Sequence, residues 1–89
     1  MLRISQIAED PVSATLRLEG RIASDWVAVL EAECQRVLRE KRRLRLDFTH
    51  VTYVDAAGVR ALKRIGPRDM EILNCPPLIG QLLGNQDRA

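Results

Sequence analysis

Residues Leu44–Leu62 read LRLDFTHVTYVDAAGVRAL, and the fold follows from how this stretch is parsed. Leu44, Leu46 and Phe48 alternate with Arg45 and Asp47, the two-residue period of a strand with one face in a core. A tight loop through Thr49 and Thr52 is expected next. Asp55 then stands before Ala56, Ala57 and Gly58, with Leu62 and Ile65 at helical spacing and Gly66-Pro67 closing the run. Asp55 reads as the N-cap, because its carboxylate can accept from the free N–H groups of the first turn and a negative charge is favoured there.

The flanking segments extend this pattern in both directions. Leu2 and Ile4 start a short first strand, and Glu9-Asp10-Pro11 supplies a turn. Val12, Ala14, Leu16 and Leu18 alternate with Ser13, Thr15, Arg17 and Glu19, so a second strand is expected to run as far as Ile22. Ser24 is placed to cap a helix whose stripe is Val27, Leu30, Cys34, Val37 and Leu38, with Trp26 over the end of the core. Met70 and Ile72 mark a fourth strand. A last helix opens at Pro77, where the missing N–H costs nothing, buries Leu78, Ile79, Leu82 and Leu83, and ends near Gly84, leaving a frayed tail. The order predicts an α/β fold: a mixed four-stranded sheet, its first hairpin antiparallel and its helix-linked strands parallel, with about three helices mainly on one face and the other face open to water.

Composition bounds the function. The 89 residues suit a single domain spanning 1–89. A net charge of +2 is too small to imply nucleic acid, and no aromatics are interleaved for base stacking. No apolar run approaches the roughly 20 residues that cross a bilayer, so a cytoplasmic protein without membrane insertion is expected. Cys34, Cys75 and His50 have no metal-ligand spacing; unpaired buried thiols, an exposed His50, no metal and no cofactor are the expectation. Asp55 has no second titratable group placed to work with it, which speaks against an enzyme. Arg36, Arg39, Lys41, Arg42, Arg43 and Arg45 crowd a predicted helix C-terminus, either as solvated cations balancing the helix dipole or as a contact for an anion.

LRLEGRI, a helix, LRLDFTHVTYVDAAGVRAL and then MEILNCPPLIGQLL together resemble a STAS domain, the fold of the bacterial anti-sigma factor antagonists. The most specific parts are the Gly20 turn and Asp55-Ala56-Ala57-Gly58. The resemblance implies a non-enzymatic regulatory domain that docks on a protein partner, an anti-sigma factor with kinase activity or another STAS-containing assembly, through the helix opened by this motif. It implies Asp55, Ala56, Ala57 and Gly58 as a small centre, with Arg60, Lys63 and Arg64 as a charged rim. In that family the residue before the glycine is a phosphorylatable serine. Here it is Ala57, so no phosphoserine switch is expected at the motif, and Thr49 and Thr52 are the nearest hydroxyls, read as satisfying loop N–H groups. The short segment from Gly58 to Met70 predicts about two helical turns. Other roles consistent with the resemblance are an accessory subunit on the ATPase of a lipid-transporting ABC system and a small-ligand or nucleotide sensor; a second copy of the chain is a further candidate partner.

Overall fold

A computed structural model describes residues 1–40, 42–65 and 68–83. Its elements are β1 (Leu2–Asp10), β2 (Ser13–Ile22), α1 (Trp26–Arg39), β3 (Arg43–Val54), α2 (Ala56–Ile65), β4 (Met70–Leu73) and α3 (Pro77–Leu83). The strands form one sheet in the order β1-β2-β3-β4. β1 and β2 are antiparallel, while β2–β3 and β3–β4 are parallel. The expected mixed sheet and the element order are therefore present. Gly84 and the tail after it, Lys41, and Gly66-Pro67 lie outside the described residues.

The core is aliphatic apart from Phe48. Ala14, Leu16, Leu18, Leu44, Leu46 and Phe48 are fully buried on one side of the sheet, and Leu30, Cys34 and Val37 of α1 and Ala61, Leu62 and Ile65 of α2 join the same cluster. The α1 stripe recurs every three or four residues, which keeps its side chains on one helical face. Burial pushes the Cys34 thiol up to about 12, so it behaves as a small apolar side chain. Cys75 is only half-buried, its thiol raised by burial as well, and both cysteines are free.

Several local expectations fail for identifiable reasons. Val12 is exposed, because the Asp10 carboxylate accepts from the N–H groups of Val12 at 2.9 Å and Ser13 at 2.8 Å and holds Val12 in the turn. Gly20 is no turn. It sits inside β2 at φ 106°, where a Cβ would come within 2.4 Å of the Met1 carbonyl oxygen, and the strand continues past it to Ile22. α2 has ten residues, nearly three turns rather than two. On α3, Ile79 and Leu83 are buried but Leu78 and Leu82 point outward, since a helix of seven residues on the rim of the core presents only one narrow stripe to it.

The second face of the sheet is less open than expected. Ser13, Thr15 and Asp47 on the two central strands are buried. Directly opposed residues make ion pairs across this face: Arg3–Glu19 at 3.9 Å, Arg17–Asp47 at 3.6 Å and Arg45–Glu71 at 3.4 Å. Cross-strand pairing of opposite charges stabilises a solvated sheet face modestly and fixes register.

Candidate partner-docking site

The parallel arrangement brings the end of β3 and the starts of α1 and α2 to one end of the sheet. β3 reaches this end by a route the sequence concealed. Its pairing with β2 shifts twice, so that Asp47 and His50 stand opposite Arg17 and Glu19, and Val51 and Tyr53 opposite Gly20 and Arg21. Each shift inserts one extra residue into β3, a bulge that bends the strand and increases its twist. Thr49 and Thr52 accordingly belong to a bulged strand and not to a loop, and His50 is exposed there.

Neither threonine serves loop N–H groups. The Thr52 hydroxyl donates to the Gly20 carbonyl at 3.1 Å across the second bulge. The Thr49 hydroxyl donates to the Asp47 carboxylate at 2.5 Å, and the Thr49 N–H donates to the same oxygen at 2.9 Å. The Asn74 side-chain amide adds a third bond to that oxygen at 3.3 Å. These bonds, the Thr49 hydroxyl first, hold the Asp47 carboxyl down to about 2. The cluster ties β3 to the β4–α3 junction, where Asn74 takes a positive φ of 57° that asparagine tolerates better than most residues.

Asp55 caps α2 as its position predicts, and does more. One carboxylate oxygen accepts the Gly58 N–H at 2.7 Å and the other accepts the Ser24 N–H at 3.0 Å. The Asp55 N–H donates to the Ile22 carbonyl at 3.0 Å, and its carbonyl accepts the Val59 N–H at 2.9 Å. Those amides, Ser24 before Gly58, hold the Asp55 carboxyl below its ordinary range. Ser24 is thus no cap for α1. It lies in the left-handed region at φ 56°, its backbone serves the cap of α2, and the N-cap position of α1 falls to Asp25, which makes no side-chain capping bond.

Gly58 lies beneath the surface instead of on it. A Cβ there would stand 2.8 Å from Val54 Cγ1 and 2.9 Å from the Ile22 carbonyl oxygen, so the glycine allows α2 to sit directly on the ends of β2 and β3. Above it, Ala56 is exposed and Ala57 half-buried; Arg60, Lys63 and Arg64 are all exposed. Arg64 forms a two-pronged bond to Glu31 of α1, both contacts at 3.0 Å, which joins the two helices. Ala56, Ala57, Arg60 and Lys63 remain as the outward surface of α2.

Two aromatics stand at the same end: Trp26, expected to cover the end of the core, and Tyr53, for which no role was expected. Tyr53 is 46 % exposed with the Arg21 guanidinium 5.1 Å over its ring, and Trp26 at the start of α1 is 36 % exposed. The available signal was compositional: two of only three aromatics lie just beside the helix starts. Half-exposed Trp, Tyr and Arg are the side chains most enriched in protein interfaces.

A family model described as "Mlab, STAS domain" matches residues 5–68, well over half of the chain. The chain belongs to the STAS domain family. Among solved structures, the anti-sigma factor antagonist SpoIIAA in its unphosphorylated form superposes with a TM-score of 0.69 at 17 % identity, over 90 % of this chain and 80 % of that one. At that identity the likeness is one of fold. No curated protein sequence matches the chain. Among the described residues, no helix of this STAS domain is long and apolar enough to cross a membrane.

Proposed function

We propose that this STAS domain is a non-catalytic regulatory module that acts in the cytoplasm by docking on a protein partner through the N-terminal half of α2, without a phosphoserine switch. The observation that carries the reading is the state of Asp55. Its carboxylate is committed to two backbone N–H groups, so it holds the surface in place and is not free to move a proton. That surface, Ala56 and Ala57 with Arg60 beside them and Tyr53 and Trp26 at the same end, offers small residues for close approach and larger anchors around them. A methyl group at Ala57 leaves no oxygen to phosphorylate. Docking there is therefore constitutive, with an anti-sigma factor kinase or another STAS-containing assembly as the partner in the leading reading.

The family description favours a second reading. A match to a model described by the name Mlab suits an accessory subunit seated on the ATPase of a lipid-transporting ABC system, which would use the same surface. Capture from the native host followed by mass spectrometry separates the two by which ATP-binding protein is recovered. Calorimetry with that partner then tests the surface. Ala57→Glu and Arg60→Glu should each weaken binding by about tenfold or more; Ala57→Glu should melt like the wild type, since a carboxylate in the first turn of a helix is favourable, and Arg60→Glu, at an exposed position one turn further on, should cost little stability. Unchanged affinity in both variants contradicts the reading.

A further inference from the structure

The basic run between Arg36 and Arg45 plays no part in the docking surface, and the structure divides it. Arg36 lies on Glu33 at 3.2 Å and Glu40 at 3.8 Å, Arg42 on Glu9 at 2.8 Å and Glu40 at 3.5 Å, and Arg45 on Glu71 at 3.4 Å. Arg43 has no carboxylate within 4.0 Å among the described residues, and neither has Arg68, which is remote in sequence. These two guanidiniums nevertheless line one cleft of about 340 Å³ with Arg42, Leu38 and Asp69. The cleft lies at the N-terminal ends of β3 and β4, the opposite end of the sheet from Asp55.

We infer that this cleft is a binding site for a small phosphate monoester. The backbone around it is pinned, the Arg43 N–H donating to the Val12 carbonyl at 2.7 Å and the Leu44 N–H to the Asp69 carbonyl at 3.4 Å, and Glu9 and Glu40 pair with Arg42, while the Arg43, Arg68 and Asp69 side chains are exposed. Guanidinium forks match phosphate oxygens two at a time, which a lysine ammonium does not. Three guanidiniums in the lining stand against one carboxylate, Asp69. Glu9 and Glu40, the latter shared with Arg36, offset that excess at Arg42, so the anion would be met by Arg43 and Arg68. Asp69, itself without an ion pair among the described residues, can accept from a hydroxyl of the ligand, and half-buried Leu38 gives a carbon body one apolar wall. The volume falls at the lower end of small-ligand sites, about 300–1,000 Å³, more than a bare ion needs. Nothing in this assignment depends on what docks at α2.

The test is an amide NMR titration of the full chain with inorganic phosphate and then glycerol 3-phosphate, at constant ionic strength. Saturable shifts confined to residues 42–44 and 68–70, with the ester tighter than the ion, are expected. Arg43→Gln and Arg68→Gln should each weaken binding by about tenfold. Arg43→Lys, which keeps the charge but not the fork, should fall between them and the wild type. Arg3→Gln, an equal charge change at the far end of the sheet, should bind as the wild type does. Shifts that fail to saturate, or an equal loss in Arg3→Gln, would overturn the assignment.

Discussion

From Arg43 to Phe48, β3 keeps a strict two-residue period and drives Leu44, Leu46 and Phe48 into the core. From Thr49 to Val54 its buried residues, Val51 and Val54, come at every third position, because a bulge precedes each of them. The regular half stabilises the sheet by apolar burial, whereas the bulged half aims. Its extra residues turn Tyr53 outward, bring the Thr52 hydroxyl to Gly20 and deliver Asp55 within reach of the Ser24 amide. The energetics of the fold and the geometry of the proposed docking surface thus sit in adjacent halves of one strand.

That division can be broken first at its strongest point. Leu46→Ala removes a fully buried side chain from the regular half and should cost about 2–5 kcal/mol in denaturant unfolding, much of the stability of a domain this small. A cost under about 1 kcal/mol would mean that the core collapses around the gap and that the regular half is not the main stabilising region. Gly58→Ala acts where the bulged half meets α2. The added methyl meets a backbone oxygen at 2.9 Å, so a loss of about 1–3 kcal/mol is expected despite alanine's better helix propensity. A gain in melting temperature would show that α2 can lift from the strand ends at little cost.

The pH response sharpens the comparison at the junction of the halves. Asp47 titrates near 2 in the folded chain, below the roughly 3.9 of an unfolded aspartate. Its contribution is therefore present above about pH 4 and lost as pH falls through about 2. Wild type should unfold at higher denaturant than Asp47→Asn at neutral pH, and the gap should close on acidification through that window. Other lowered carboxyls, Asp10 and Asp55, are common to both proteins and cancel in the difference. A gap independent of pH would remove the Asp47 cluster from the account.

Element order and the buried stripe of α1 were legible because each rests on periodicity, as in Val27, Leu30, Cys34 and Val37, whereas the short α3 turned Leu78 and Leu82 outward against expectation. The Asp55 cap was legible because side-chain capping is local chemistry. Bulges erase the period they interrupt, so the second half of β3 read as a loop. Gly58 read as a surface residue because its constraint comes from Ile22, far away in sequence. The role of Ser24 was hidden for the same reason: its partner lies 31 residues along the chain. Nothing in the spacing of Arg17 and Asp47, or of Arg45 and Glu71, announces that parallel pairing will set them opposite one another.

The central claim is that the bulged end of β3 and the start of α2 form the partner surface. Hydrogen–deuterium exchange of the complex against the free chain reads it directly. Added protection should fall on residues 52–61, with residues 43–48 of the regular half unchanged. Protection on the ion-paired sheet face or along β1, with residues 52–61 exchanging as in the free chain, would contradict it.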